Sequence, residues 1–318
     1  MVGDERLLAQ RLVFVGHTSV DKVENVNGTS VQPGGAALYA AMAARTLSQN
    51  VSLISATGKD NKFQSYLNLI PYRDIKIYDT PSTQFHIRYD SRWEAHYLKA
   101  EHGAGSRITS RRISNKWFRH NSIFHISPMT PSKVAGLLDK IKKKSPESKV
   151  SVNTWIDYIR EGRKNRRILN DIAAKADFFI VNDTEAKALA QTNSLSSAVR
   201  LLKAKRLIVT LGSLGAIVSG KDIGLQMYPA LTLPPEKVVD TTGAGDVWCG
   251  AFLATYNLTE DFAKSVNTAS TISRIKCSDW GFQSLINLRF KEPNDVVEFF
   301  MGLKDGAIQK RMVDYTKD

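Results

Sequence analysis

The chain has 318 residues, 42% of them hydrophobic, which is enough to bury a full core in one large α/β domain or in two smaller units. Its two cysteines, Cys249 and Cys277, form no CxxC pair, which argues against a disulfide framework or a zinc site and favours a reducing, intracellular compartment. The formal net charge of +13 is compatible with nucleic acid, an anionic membrane surface or an anionic substrate such as ATP, but the basic residues are spread over several segments, as on an ordinary solvated surface.

Residues 1–10 carry Asp4, Glu5 and Arg6 where a signal peptide would have a basic segment followed by an apolar one. No later apolar run is long enough to cross a membrane. From these two observations we expect a cytoplasmic protein without a membrane partner.

Short apolar runs beyond this N-terminus predict buried β-strands at intervals along the chain. These runs are Leu12–Gly16, Val51–Ala56, Ser122–Ile126, Val150–Asn153, Phe178–Val181 and Leu207–Leu211. Helical patterns fill most of the spaces between them, beginning with the small-residue segment Gly34–Leu47. The alternation predicts an α/β fold with a doubly wound, mostly parallel sheet that is covered by helices.

The segment from Ile75 to Ala100 interrupts this alternation. Two runs rich in Thr, Tyr, Phe, Ile and Trp, at Gln84–Tyr89 and Trp93–Leu98, are separated by polar residues and predict a β-hairpin. No internal repeat, low-complexity tract or long linker divides the sequence. We therefore expect a single domain over residues 1–318 that carries a small β excursion.

The most informative motif is DTTGAGD at residues 240–246, a loop of small residues that leads into an apolar helical run. The N-terminus of a helix has unpaired N–H groups and the positive end of the helix dipole, so it suits a phosphoryl group. Gly243 and Gly245 let the backbone approach such a group. Asp246 is then a candidate base. The positive helix end stabilises its negative charge, which keeps it ionised and makes it a weak base. The alternative is that Asp246 only caps the helix.

This motif, with Gly250-Ala251-Phe252 behind it, closely resembles the signature of the ribokinase (PfkB) family of carbohydrate and nucleoside kinases. The resemblance extends over roughly residues 12 to 285 and implies a ribokinase-like fold, ATP as phosphate donor and Mg²⁺ as cofactor. It also implies that Asp246 is the catalytic base and that Gly243, Ala244 and Gly245 form the anion hole. Asp240 and Thr241 match the start of the motif, which implies a place beside the nucleotide.

The N-terminal third contributes the acceptor side of the resemblance. Gly16 and Asp21 resemble the family's G-x-x-x-x-D, whose aspartate binds acceptor hydroxyls, as a carboxylate can accept two hydrogen bonds at once. Gly34 and Gly35 resemble the glycine pair that contacts the acceptor near the hinge of the lid. The resemblance implies a lid made by segments near 17–33 and 75–100, which excludes water from the transfer and forms a homodimer interface in many relatives.

The C-terminal half contributes the nucleotide side. Asn182 and Glu185 resemble the family's N-x-x-E motif, which organises Mg²⁺ through water; a capped helix start is the alternative reading. The turn Thr210–Gly215 resembles the nucleotide-binding turn, which implies roles for Thr210, Gly212 and Gly215. Asn267 lies where relatives line the adenine pocket.

The acceptor is harder to predict, because Tyr39 stands where sugar-specific relatives have an asparagine. Tyr39 and Phe85, in the stretch Gln84-Phe85-His86, resemble the polyol branch of the family, such as inositol kinases, and Trp155 and Arg160 add to that pocket. We therefore expect a small polyhydroxy acceptor. Aromatic side chains can also stack on a nucleobase, so a nucleoside acceptor is the alternative.

The sequence disfavours three other classes of function. A ligand-binding member without catalysis is disfavoured by the intact Asp246 and Glu185. Binding of nucleic acid would need one continuous basic face, and the sequence has no interleaved basic-aromatic motif of a known reader. A Rossmann dehydrogenase is disfavoured because Gly16-His17-Thr18-Ser19 lacks the GxGxxG loop.

Overall fold

The computed structural model describes residues 10–230 and 238–304 of the chain. Its largest element is a sheet of nine strands: Arg11–Val15 (β1), Val51–Gly58 (β4), Tyr72–Tyr78 (β5), Ser122–Ile126 (β8), Lys149–Asn153 (β9), Phe178–Asn182 (β10), Arg206–Thr210 (β11), Ala216–Gly220 (β12) and Gly224–Tyr228 (β13). Their order across the sheet is β13-β12-β11-β10-β9-β8-β1-β4-β5. The seven strands from β11 to β5 run parallel, and β12 and β13 add an antiparallel edge.

Helices cover both faces of this sheet. Their bounds are Ala36–Ala44 (α1), Gln64–Leu67 (α2), Pro131–Lys144 (α3), Ile156–Arg160 (α4), Arg163–Lys175 (α5), Asp183–Ala190 (α6), Leu195–Leu201 (α7), Ala244–Thr259 (α8), Phe262–Lys276 (α9) and Pro293–Lys304 (α10). Two separate apolar cores result, one on each face, because parallel strands bury side chains on both sides. The doubly wound, mostly parallel architecture predicted from the sequence is confirmed.

The small residues of α1 have a packing role. Eight of its nine residues are buried, and it crosses α8 in the larger core. The approach is close: a Cβ on Gly250 of α8 would lie 1.9 Å from the carbonyl oxygen of Ala40. Any side chain at position 250 would therefore push the two helices apart, and with them the loop that precedes α8.

A second, smaller sheet of four strands has the order β3-β2-β6-β7, with strands Ser19–Asn25 (β2), Gly28–Gly34 (β3), Thr83–Tyr89 (β6) and Ala95–Glu101 (β7). It contains the predicted hairpin. Residues 75–78 of the predicted β excursion, however, belong to β5 at the edge of the large sheet, where they pair in parallel with β4. Within residues 10–230 and 238–304, no helix is long and apolar enough to cross a membrane.

Candidate active site

A cleft of about 680 Å³ lies between the carboxyl ends of the parallel strands and the small sheet. The large sheet contributes Asn153, Asn182 and Thr210, which are the last residues of β9, β10 and β11. Ligands bind at this edge in open α/β sheets, because successive strands deliver their following loops there. Most predicted site residues line the cleft: Asp21, Gly35, Tyr39, Phe85, Asn182, Glu185, Thr210, Thr241, Gly243, Ala244, Gly245 and Asp246.

The anion loop, which we define as residues 240–246, ends at the N-terminus of α8. Gly243 is the N-cap residue with φ of +70°, in the left-handed region that favours glycine. Its Cα lies against the ring of Tyr39, where a Cβ would come within 2.5 Å of a ring carbon. A Cβ on Gly245 would meet no atom within 4 Å, so position 245 faces open space. The loop therefore packs on Tyr39 on one side and leaves its backbone open to the cleft on the other.

Asp246 lies in the first turn of α8 with its carboxylate beside Asn153. The side-chain nitrogen Nδ2 of Asn153 donates a hydrogen bond of 3.1 Å to Oδ1 of Asp246. Burial raises the pKa of Asp246 to about 6, although the hydrogen bond from Asn153 opposes the shift. The sequence-based expectation of a weak base was therefore wrong, because loss of solvent outweighs the helix end.

Asp21 projects from β2 into the same cleft and is fully buried in the small sheet. Ser19 Oγ donates a 2.6 Å hydrogen bond to Asp21 Oδ1, and burial raises the pKa of Asp21 to about 7. Gly34 does not line the cleft; it packs under this carboxylate, since a Cβ there would lie 1.8 Å from Asp21 Oδ2. Gly35 does line the cleft, with φ of +99° against the carbonyl oxygen of His17.

Asn182 and Glu185 form a capping box at the start of α6. Asn182 Oδ1 accepts from the Glu185 N–H at 2.8 Å, and Glu185 Oε2 accepts from the Asn182 N–H at 2.9 Å. Both residues also line the cleft, so the cap and a role in the site are compatible. Burial raises the pKa of Glu185 to about 8, and the nearby Asp246 adds to the shift.

These carboxylates decide whether a magnesium ion fits. No group of three or more His, Cys, Asp or Glu side chains within the described parts of the chain could hold a metal by itself. Mg²⁺ does not require such a cage, because it keeps several waters and commonly binds one carboxylate together with substrate phosphates. Glu185 fits that pattern: a buried carboxylate beside Asp246, with its Oε1 accepting no hydrogen bond from any described residue.

Asp240 was expected beside the nucleotide, and its position contradicts this. The side chain is fully buried and does not line the cleft. Its carboxylate accepts hydrogen bonds from the Thr242 N–H (2.8 Å) and Gly281 N–H (2.9 Å) and from Gln32 Nε2 (3.0 Å). Lys276 Nζ completes the set at 3.2 Å from Oδ2. Asp240 therefore anchors the anion loop on the side that faces away from the cleft, and Thr241 is the first residue of the loop that lines the cleft.

The predicted nucleotide turn is only partly at the cleft. Thr210 lines it, whereas Gly212 and Gly215 do not. Gly215, with φ of +113°, has a structural reason for lacking a side chain: a Cβ would lie 1.9 Å from the Tyr228 carbonyl oxygen on β13. Asn267 is an exposed residue of α9 outside the cleft lining, as a polar residue on a helix surface usually is.

Asn153 was missed as a cleft residue, although its place at the end of a predicted strand was a usable signal. The cleft also has an aromatic wall, which we define as Phe85, Tyr97, His102, Trp155 and Tyr158. Phe85 and Trp155 were predicted as pocket residues, as was Arg160, and all three line the cleft, whereas His102 and Tyr158 were not predicted. No local pattern connects these residues, because they come from two strands of the small sheet and from the segments after β7 and β9.

The rings of the aromatic wall contact one another. Trp155 lies with its ring centroid 4.9 Å from that of Tyr97, 5.4 Å from Tyr158 and 6.3 Å from Phe85. Phe85 is the parallel-strand partner of Asp21, so the wall begins beside that carboxylate. The indole Nε1 of Trp155 is buried and has no hydrogen-bond partner among the described residues. Buried N–H groups in proteins nearly always have an acceptor, and the described residues provide none for this one.

Comparisons with known proteins agree with this geometry. A sequence model described as "pfkB family carbohydrate kinase" matches residues 9–287. The chain is 29% identical to a cytidine kinase of Thermococcus kodakarensis, with 86% of this chain and 98% of that protein covered. It is 28% identical to a ribokinase of Lactococcus lactis over 84% of this chain and 88% of the other. The ribokinase of Cryptococcus neoformans, solved in complex with ADP, superposes with a TM-score of 0.74 at 18% identity and covers 91% of this chain and 99% of its own.

Proposed function

Because the chain belongs to the pfkB family of carbohydrate kinases, which are phosphotransferases acting on hydroxyl groups, we propose that it transfers the γ-phosphate of ATP to a hydroxyl group of a nucleoside. Named relatives include both a cytidine kinase and a ribokinase, so the names alone do not choose the acceptor. The observation that carries the choice is the aromatic wall next to Asp21. A polyol such as inositol, which the sequence favoured, lacks the aromatic π-face that a nucleobase offers to these rings.

The acceptor is held at two points. Asp21 accepts hydrogen bonds from two neighbouring sugar hydroxyls, and the base lies against the rings of Phe85, Tyr97 and Trp155. Stacking of a base on an aromatic side chain contributes about 1–3 kcal/mol as measured by alanine substitution.

The transfer step uses the carboxylate of Asp246. It accepts the proton of the sugar hydroxyl while the hydroxyl oxygen forms a bond to the γ-phosphorus and the bond from that phosphorus to the ADP oxygen breaks. A pKa of about 6 keeps Asp246 largely ionised near neutral pH yet makes it a better base than an exposed aspartate. The positive end of α8 faces the transferred group, to which the N–H groups of Gly243 and Gly245 donate; the Ala244 N–H already donates to the Thr241 carbonyl oxygen at 3.1 Å.

Glu185 would hold Mg²⁺, and Asn182 keeps the Glu185 carboxylate in place through the capping box. When bound, the ion neutralises charge on the phosphates of ATP. The small sheet acts as the lid of the site, since β2, β6 and β7 all contribute residues to the cleft wall. A lid that excludes water suppresses hydrolysis of ATP in place of transfer.

The test is ADP release with Mg-ATP across nucleosides, pentoses, hexoses and inositols, with Asp246→Asn as the blank. We expect a nucleoside to give the highest kcat/KM. Trp155→Ala should raise KM for that nucleoside by about 5- to 150-fold, the equivalent of one lost stacking contact, and leave turnover of free ribose nearly unchanged. A higher kcat/KM for ribose or an inositol than for every nucleoside would reject the acceptor while leaving the kinase assignment intact.

A further inference from the structure

A buried ion pair lies directly behind the anion loop. Lys276, the last residue of α9, and Asp240, the first residue of the loop, are both fully buried. The ammonium group Nζ donates 2.7 Å to the backbone carbonyl oxygen of Asp240 and lies 3.2 Å from its carboxylate Oδ2. One side chain thus fixes both the main chain and the side chain of the residue at which the loop begins.

A gain in stability does not by itself explain why an ion pair is buried here. Removing two charges from water costs several kcal/mol per ion, and apolar replacements of buried pairs are often neutral or stabilising. Asp240 has further partners, since the Thr242 and Gly281 N–H groups and Gln32 Nε2 also donate to its carboxylate. Burial alone would raise the pKa of Asp240, but the charge of Lys276 and the hydrogen bonds from Thr242 and Gln32 lower it below its usual value. The carboxylate is therefore held as an anion.

The same face of α9 contacts the anion loop at a second point, Ala244. Ser273 lies three residues before Lys276, so the two side chains are neighbours on the helix surface. Ser273 Oγ donates a 2.9 Å hydrogen bond to the carbonyl oxygen of Ala244, at the start of α8. The loop therefore contacts α9 at Asp240 and at Ala244, and all of its residues from Thr241 to Asp246 line the cleft.

We propose that Lys276 is a positioning residue of the phosphotransfer reaction: through Asp240 it sets where the N–H groups of the anion loop lie relative to the transferred phosphoryl group. A shift of the loop by about 1 Å is enough to cost on the order of 100-fold in rate, because the stabilising groups must fit the transition state. The inference rests on the proposed role of the anion loop in holding that group and is independent of the acceptor. Lys276 itself does not line the cleft.

The experiment compares Lys276→Met with Lys264→Met, the same substitution at an exposed position of the same helix. Turnover is measured with whichever acceptor the wild-type enzyme uses best, and calorimetric titration with ADP counts the folded binding sites. We expect Lys276→Met to lower kcat per ADP-binding site by about 10- to 100-fold, with the KM of the acceptor changed less than about threefold. Lys264→Met should match the wild type in both quantities.

Two results would overturn the proposal. One is a kcat per ADP-binding site within twofold of the wild type; the other is a loss of turnover that matches the loss of ADP-binding sites, which means Lys276 only supports folding. If Lys276→Met does not fold, the neutral pair Asp240→Asn with Lys276→Met replaces it, because breaking only one partner leaves a buried unpaired charge. Full turnover in that double variant would also overturn the proposal. Failure of Asp246→Asn to reduce wild-type turnover would instead reject the catalytic base.

Discussion

Replacing Asn153 with alanine should move the pH dependence of the reaction to higher pH. In the wild type, the hydrogen bond from Asn153 Nδ2 stabilises ionised Asp246 and limits its pKa to about 6. A hydrogen bond to a charged group contributes about 1.5–3 kcal/mol, and one pKa unit corresponds to about 1.4 kcal/mol. Without this bond the pKa of Asp246 should rise by about 1–2 units.

The sign follows from the role of Asp246 as a base. Only the ionised carboxylate accepts a proton, so activity falls as pH drops through the pKa, and raising the pKa moves this fall to higher pH. At pH 6.5, a rise of about 1.5 units lowers the ionised fraction about eightfold, whereas at pH 9 the two enzymes should differ little. The assay is kcat/KM for the acceptor at saturating Mg-ATP from pH 5 to 9. Titration of ATP itself is common to both enzymes and cancels in the difference.

The matched control is Asn165→Ala on α5, which also removes an amide that donates to a carboxylate, here to Glu161 on the surface. Its profile should coincide with that of the wild type. An acid limb of folded Asn153→Ala within about 0.3 units of the wild type would refute the reasoning, since a charged hydrogen bond is worth several times that shift. Either Asp246 is then not the base, or Asn153 does not set its pKa.

Three further predictions concern the same cleft. Asp246→Asn should lower kcat by about 10²–10⁴-fold with ADP binding retained, as calorimetry can check, because only the proton acceptor is lost. Gly243→Ala should lower the melting temperature, because position 243 has a φ of +70° and the added Cβ would strike the ring of Tyr39. Gly245→Ala should keep the wild-type melting temperature but lose activity, because its Cβ enters the open space of the cleft. Equal melting temperatures for the two variants would contradict this prediction. Glu185→Gln should be more stable than the wild type by on the order of 3 kcal/mol at pH 8 and by less at pH 5. The reason is that burial raises the pKa of Glu185 to about 8, so ionising this carboxylate costs stability as pH rises. Chemical denaturation at both pH values measures the difference, and a variant less stable than the wild type at pH 8 would contradict the prediction.

The strands of the large sheet could be predicted because buried parallel strands give continuous apolar runs. The run Ser122–Ile126 was predicted with the bounds that the structure has, and Phe178–Val181 with an error of one residue. The hairpin of β12 and β13 was missed because β13 has no continuous apolar run: its apolar residues Leu225 and Met227 alternate with Gln226 and are exposed. Residues 75–78 were assigned to the β excursion because β5, a largely exposed edge strand, resembles the strands of the small sheet.

The residues of the site also differ in how far their positions could be predicted from the sequence. Residues that belong to one contiguous motif, such as Gly243, Gly245 and Asp246, were placed in the cleft from sequence alone. Asp240 belongs to the same motif, yet its role depends on Gln32 and Lys276, which approach from distant parts of the chain. Burial is likewise invisible in a motif, which is why the raised pKa of Asp246 was not foreseen.

The exposed edge strand β7 has a consequence for how this enzyme can diversify. It is joined to β6 through the backbone, and every one of its residues is exposed, so its side chains contribute little to the core. Three consecutive residues, Ala95, His96 and Tyr97, nonetheless form part of the cleft wall. Surface substitutions of this kind usually change stability by only about 0.5 kcal/mol. A combinatorial library confined to the codons of Ala95 and His96, which lie outside the aromatic wall, would therefore explore new acceptor preferences while nearly every member still folds.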